Sequence, residues 1–134
     1  MPPAHLPDNA LVVRFAPTSH TEVALSATEM MALNGRYSLS VWASAIPLGE
    51  SDDQVVSFLV AAAGLGGIAL ARNKWCYWCR AGVLSGRGFA FGKEGWDGEP
   101  EHHYAVTIDS GKGLLRQLSV CEFLAAFAKK SRVS

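Results

Sequence analysis

From Val55 to Ala71 the chain runs 17 residues without a charge, between Asp52-Asp53 on one side and Arg72 and Lys74 on the other. A run this apolar must leave water, so it restricts the fold more than any other segment. A bilayer span takes about 20 such residues. This one is shorter and carries Gly64, Gly66 and Gly67 in its second half. That pattern suits a helix over Gln54–Ala63, a glycine turn and a buried strand over Ile68–Arg72 better than a membrane helix. Ser51 and Gln54 have capping-box spacing, and Asp52 and Asp53 fall in a first turn that favours negative charge. The helix is apolar nearly all round, which predicts a central position.

The segments on either side read as strands and helices in alternation. Met1–Asn9 is an extended lead-in, and residues 10–134 form one globular domain, since two cores in 134 residues would each be small. Ala10–Phe15 is a short β-branched run bounded by Pro17 and predicts a buried strand. Ser19 with Glu22, or Ser26 with Glu29 for a shorter version, starts a first helix that stops at Asn34-Gly35, its apolar face formed by Val23, Ala24, Ala27, Met30, Met31 and Leu33. Tyr37–Ala43 alternates with period two, placing Leu39 and Val41 on one face and Ser38, Ser40 and Trp42 on the other. Asn73–Gly82 has no clear period. Arg87–Lys93 and His103–Asp109 predict two more strands, joined by a polar turn with Gly95, Gly98 and Pro100. Leu114–Lys130 predicts a C-terminal helix with a buried stripe of Leu114, Leu118, Phe123, Leu124 and Phe127. The expected class is α+β: a small, mostly antiparallel sheet of about five strands packed with about three helices.

Charge and cysteine usage narrow the setting. Lys+Arg and Asp+Glu are 12 each, so the balanced chain has no global attraction to nucleic acid or anionic lipid. Lys129, Lys130 and Arg132 form the one local basic cluster, which a solvated helix end explains. Three cysteines and no signal-peptide pattern at Met1–Pro7 predict free thiols in a reducing, cytoplasmic compartment with no membrane association.

Several residues are candidates for chemistry. Trp75-Cys76-Tyr77-Trp78-Cys79 holds a Cys-x-x-Cys pair whose thiolates could share a zinc ion, with Cys121, His102 or His103 completing the set. The alternative is two small thiols packed among aromatic rings. His102-His103 follows Glu99-Pro100-Glu101, so a histidine with Glu101 makes a candidate acid/base or ligand pair. Strand alternation implies that the two histidines do not share one site. Gly64-Leu65-Gly66-Gly67 lacks the Lys-Ser/Thr of a phosphate loop and follows a helix where that loop precedes one. Arg14, inside a strand, calls for an anion or another compensation.

Arg14, then Ser38 and Ser40 on a strand, then Glu99 and Glu101 late in the chain resembles the residue order of ADP-ribosyltransferase folds. The resemblance implies NAD as the cofactor or substrate. Arg14 would grip the dinucleotide, Ser38 or Ser40 would shape the nicotinamide pocket, and Glu101 or Glu99 would polarise the ribose. Here the Ser-Thr-Ser signature is absent, although Glu99-Pro100-Glu101 keeps the Glu-x-Glu spacing. The segments Leu6–Arg14 and Tyr37–Ala43 also resemble a group of small uncharacterised bacterial and phage accessory proteins with Leu-Pro-Asp-x-Ala-Leu-Val-Val-Arg and Tyr-Gly-Leu-Ser-Val-Phe segments. Ser38 stands where that group has glycine, and Trp42 where it has phenylalanine. This second resemblance implies one half of a toxin–antitoxin-like pair.

Three expectations result. The first is a toxin-like or effector-like protein using NAD, with Arg14, Ser40, Glu101 and His103 as catalytic residues and Arg14 and Ser38 holding the cofactor. The second is a non-enzymatic partner-binding protein of the inhibitor, antitoxin or immunity type, anchored by Trp42, Trp75, Tyr77, Trp78 and Trp96. The third is a small zinc-stabilised module built on Cys76 and Cys79.

Overall fold

A computed structural model describes residues 5–15, 20–34, 38–68, 75–107 and 114–133. Their element order is β1 (Leu11–Arg14), α1 (His20–Asn34), β2 (Ser38–Ser44), α2 (Asp52–Leu65), β3 (Trp75–Arg80), α3 (Ala81–Gly86), β4 (Ala90–Gly92), β5 (His103–Thr107), α4 (Leu114–Ala126) and β6 (Lys129–Arg132). The six strands form one sheet in the order β4-β5-β2-β1-β3-β6. Every pairing is antiparallel. The architecture is α+β, an antiparallel sheet packed with helices.

Both faces of the sheet are covered, and strand alternation divides the core in two. Val12, Leu39, Val41, Cys79, Phe91 and Val106 point to the face where α1 supplies Val23 and Ala27 and α4 supplies Val120 and Phe123. Leu11, Val13, Trp42, Cys76 and Trp78 point to the other face, where α2 supplies Val55, Val56, Leu59, Val60 and Ala63. This explains why β1 reads as a continuous apolar run: both of its faces are interior. It also explains why β2, expected to be half-buried, is covered on both sides except at Ser40 and its last residue, Ser44.

α2 carries the predicted capping box. Ser51 Oγ accepts from Gln54 N at 3.3 Å, and Gln54 Oε1 accepts from Ser51 N at 2.7 Å. The helix is not central, however. It lies across one face, with Phe58 and Leu65 turned outward. Its apolar residues exceed what one sheet face can cover. No helix among the described residues is long and apolar enough to cross a membrane.

The C-terminal segment departs from expectation. The helix stops at Ala126, and Lys129–Arg132 returns as a strand along β3. The aromatic stretch without a clear period is that partner strand, β3, and the short helix α3 follows it directly. The expected strand over Ile68–Arg72 lies outside the described residues, apart from Ile68. So does the cap at Ser19.

Candidate functional site

The most concentrated polar chemistry is in the loop Lys93–His102 between β4 and β5. The loop reverses at Gly95 and Gly98, both at positive φ, where a side chain would be strained. Glu99 holds it from within. Its carboxylate accepts from the backbone N–H of Glu94 at 3.1 Å and of Gly95 at 2.8 Å, and from His103 Nδ1 at 2.7 Å. The two side chains are nearly closed to solvent, His103 at 5% and Glu99 at 8%. Burial alone would raise the Glu99 pKa. The donors from Gly95, His103 and Glu94 outweigh it and hold the carboxyl below its ordinary value. Nearby, Glu94 is pushed up, first by burial and then by the Glu99 charge, with His103 opposing.

The carboxylate accepts only, so Nδ1 of His103 carries a proton, and in the neutral ring Nε2 is the acceptor nitrogen. That ring is fixed by aromatic neighbours: Trp42 at 5.3 Å edge-on and Trp96 at 4.7 Å tilted, between centroids. Lys93 closes the loop from the other end, donating to the carbonyls of Pro100 at 3.2 Å, Glu101 at 2.7 Å and His103. Its ammonium also lies 4.1 Å from the Tyr104 ring centroid.

Of the two histidines, His103 therefore pairs with Glu99, and only His102 lies beside the expected Glu101. Glu101 is exposed, and its carboxylate reaches only His102, at 4.0 Å. The two histidines also do not separate as strand alternation implied. His102 belongs to the turn before β5, and its ring meets Phe58 of α2 edge-on at 4.9 Å. His103 lies on the same side of the sheet, against Trp42. Beside them, Ser44, Pro47, Glu50, Val55, Phe58 and His102 line a groove of about 260 Å³. Trp96 is 50% exposed and Phe58 49% exposed, so both rings face outward, Phe58 against the ring of His102 and Trp96 against that of the buried His103. Sequence reasoning missed Phe58 because its helix looked wholly interior. The Glu-x-x-x-His spacing across a turn bounded by glycine and proline was the available signal for the Glu99–His103 pair.

The ADP-ribosyltransferase-like set is not brought together. Arg14 points to the α1/α4 face with Val12. Its guanidinium lies 5.2 Å from the centroids of Tyr77 and Phe127 and 5.6 Å from that of Phe123. Burial lowers its pKa to about 10, against smaller opposing effects of Tyr77 and Cys79. Ser38 and Ser40 of β2, and His103 of β5 opposite Trp42, belong to the other face, so the sheet separates them from Arg14. Three rings thus form a cage around the Arg14 guanidinium.

The cysteine pair is also divided. Three residues apart on one strand, Cys76 faces α2 and Cys79 faces α4, so they cannot share a metal or form a disulfide. Both are free and buried. Burial pushes the Cys79 thiol up to about 12, against Arg87 and Arg14, and raises that of Cys76. Among the described residues, no group of three or more His, Cys, Asp or Glu is placed to hold a metal ion. Of the expected interface aromatics, Trp42 and Trp78 are buried because both sheet faces are covered, Tyr77 is half-buried, and Trp75 and Trp96 are exposed.

No family model, curated protein or solved structure matches the chain.

Proposed function

We propose that this chain is a partner-binding protein of the inhibitor, antitoxin or immunity type, docking through the ridge of Phe58, His102 and Trp96 and the adjoining groove. One observation carries the reading. Trp96 stands half-exposed on a loop whose internal charges are spent on holding it still. A rigid aromatic side chain beside an apolar groove loses little entropy on burial, which is the usual character of an interface anchor. The groove suits an apolar side chain of the partner, with Glu50 and His102 at its rim. The Glu99–His103 pair has the composition of a general-base dyad, but its histidine is nearly closed to solvent, with the rings of Trp42 and Trp96 against it.

The test is site-specific photocrosslinking from position 96 in the full chain, with Leu25, on the exposed side of α1, as the control position. A discrete adduct from position 96 that is absent from position 25 is expected. Phe58→Asp should abolish it without changing the melting temperature. Adducts equal at both positions, or NAD consumption by the purified chain, overturn the reading.

A further inference from the structure

β6 ends the sheet on the side away from His103 and is the most cationic segment of the fold, with Lys129, Lys130 and Arg132 in a strand of 4 residues. Its register sets Lys129 opposite Trp78, Lys130 opposite Tyr77 and Arg132 opposite Trp75. Trp78 and Cys76 face α2, whereas Tyr77 packs toward α4. Lys129 and Ser131 therefore lie on the α2 side, and Lys130 and Arg132 on the α4 side. The cations are held against rings: Lys129 lies 4.9 Å from the Trp78 centroid, and Lys130 and Arg132 lie 4.7 and 5.2 Å from that of Trp75. The strand itself is anchored by Trp78 Nε1 donating to Ser131 Oγ at 3.0 Å and by Cys76 Sγ donating to the Ser131 carbonyl at 3.5 Å. Asp53 at the start of α2 is the acidic residue that lines the groove beside Ser131 and Arg132.

A terminal antiparallel strand directs the N–H and C=O of alternate residues away from its neighbour. Among the described residues, no strand lies beyond β6. Edge lysines ordinarily guard against aggregation, and here the guard is selective. A second copy laid antiparallel along β6 would set cation against cation, and like charges directly opposite destabilise a strand pair. A strand bearing carboxylates would meet attraction on both of its faces, because the cations project on both faces of β6. Single-stranded nucleic acid suits the edge less well. Lys130 and Arg132 already occupy the Trp75 ring on which a base would stack, and the net charge of zero gives no long-range attraction to a polyanion. We propose that β6 receives an extended, glutamate- or aspartate-rich segment of a partner protein as an added strand. This surface lies at the other end of the sheet from Trp96, so the inference stands or falls independently of the ridge.

The test is fluorescence anisotropy of the full chain with a short labelled peptide of glutamate, valine and threonine at low salt. Binding in the ~10 μM range is expected. A Lys130→Glu, Arg132→Glu double variant with an unchanged melting temperature should bind at least ~tenfold more weakly. Lys130→Gln should show a smaller loss, which keeps the test open if the double variant folds poorly. A peptide of the same charge with a central proline, which cannot donate along a strand, should also lose ~tenfold. Equal binding of the proline peptide would reduce the contact to bulk charge and overturn strand addition. Tighter binding of oligothymidylate, or no binding of the acidic peptide at low salt, would overturn the proposal outright.

Discussion

Arg14 shows how a residue chosen for chemistry can belong to packing. Its guanidinium donates to the Phe15 carbonyl at 3.1 Å, and its plane lies among Tyr77, Phe123 and Phe127. A planar, weakly hydrated cation suits such a cage better than a lysine ammonium would. Truncation removes the stem and the stacked plane together, so Arg14→Ala should cost roughly 2–4 kcal/mol by loss of packing. Arg14→Lys should cost less than Arg14→Ala but more than a surface change. Chemical denaturation of the three proteins checks the order. An Arg14→Ala protein with wild-type stability would show that the cage contributes nothing, and would return Arg14 to the list of ligand-binding candidates.

At the scale of elements, α2 and the turn behind it illustrate what local pattern conveys and what it omits. The capping box and the glycine turn were legible because they are short-range: hydrogen-bonding side chains at fixed spacing, and glycines where a helix must end. The exposed side of α2 was not legible, since composition alone does not say which apolar residues find a partner. The position of Gly66 is another such tertiary fact. A Cβ there would lie 2.3 Å from Cη2 of Trp42, well inside contact distance. Trp42 is wedged between the end of α2 and His103, so it cannot shift freely. Gly66→Ala should therefore destabilise the protein by about 1–3 kcal/mol, although alanine favours helix. The strain should be relieved by pairing it with Trp42→Phe, which gives a measurable coupling in a double-mutant cycle. The strand β6 was hidden for a related reason. Lys129, Lys130 and Arg132 carry no period-two signal, and only the aromatic rows of β3 make them a strand.

For the molecule as a whole, the acid limb of stability should depend on a carboxylate that the sequence did not single out. Of Glu99-Pro100-Glu101, the sequence favours Glu101 as the partner of a histidine, and only the turn at Gly95 and Gly98 makes Glu99 the interior one. Glu99 is held ionised by three donors in the folded protein, so its folded-state pKa lies below its unfolded value. The unfolded chain then binds more protons in this range. The stabilisation is complete above about pH 4.5, the ordinary value, and is lost as the pH falls through the folded-state value. Glu94 acts with the opposite sign, because burial raises its pKa and favours the protonated form. It softens the acid limb without reversing it, since Glu99 is bound directly to the loop backbone. Melting temperature should accordingly be flat with respect to Glu99 from neutral pH down to about pH 5 and then fall. Glu99→Gln should lower the melting temperature at neutral pH and flatten the acid limb. Glu94→Gln should leave the neutral melting temperature unchanged or raised and steepen that limb. Trp96 reports the same event locally, because the Glu99 carboxylate fixes the loop that carries it. Its fluorescence should change along with the global transition in the wild type and be altered already at neutral pH in Glu99→Gln. A Glu99→Gln protein with a wild-type melting curve at every pH would show that the loop is held by Lys93 and the glycine turns alone, and the rigidity claimed for the Trp96 anchor would then have to rest on those.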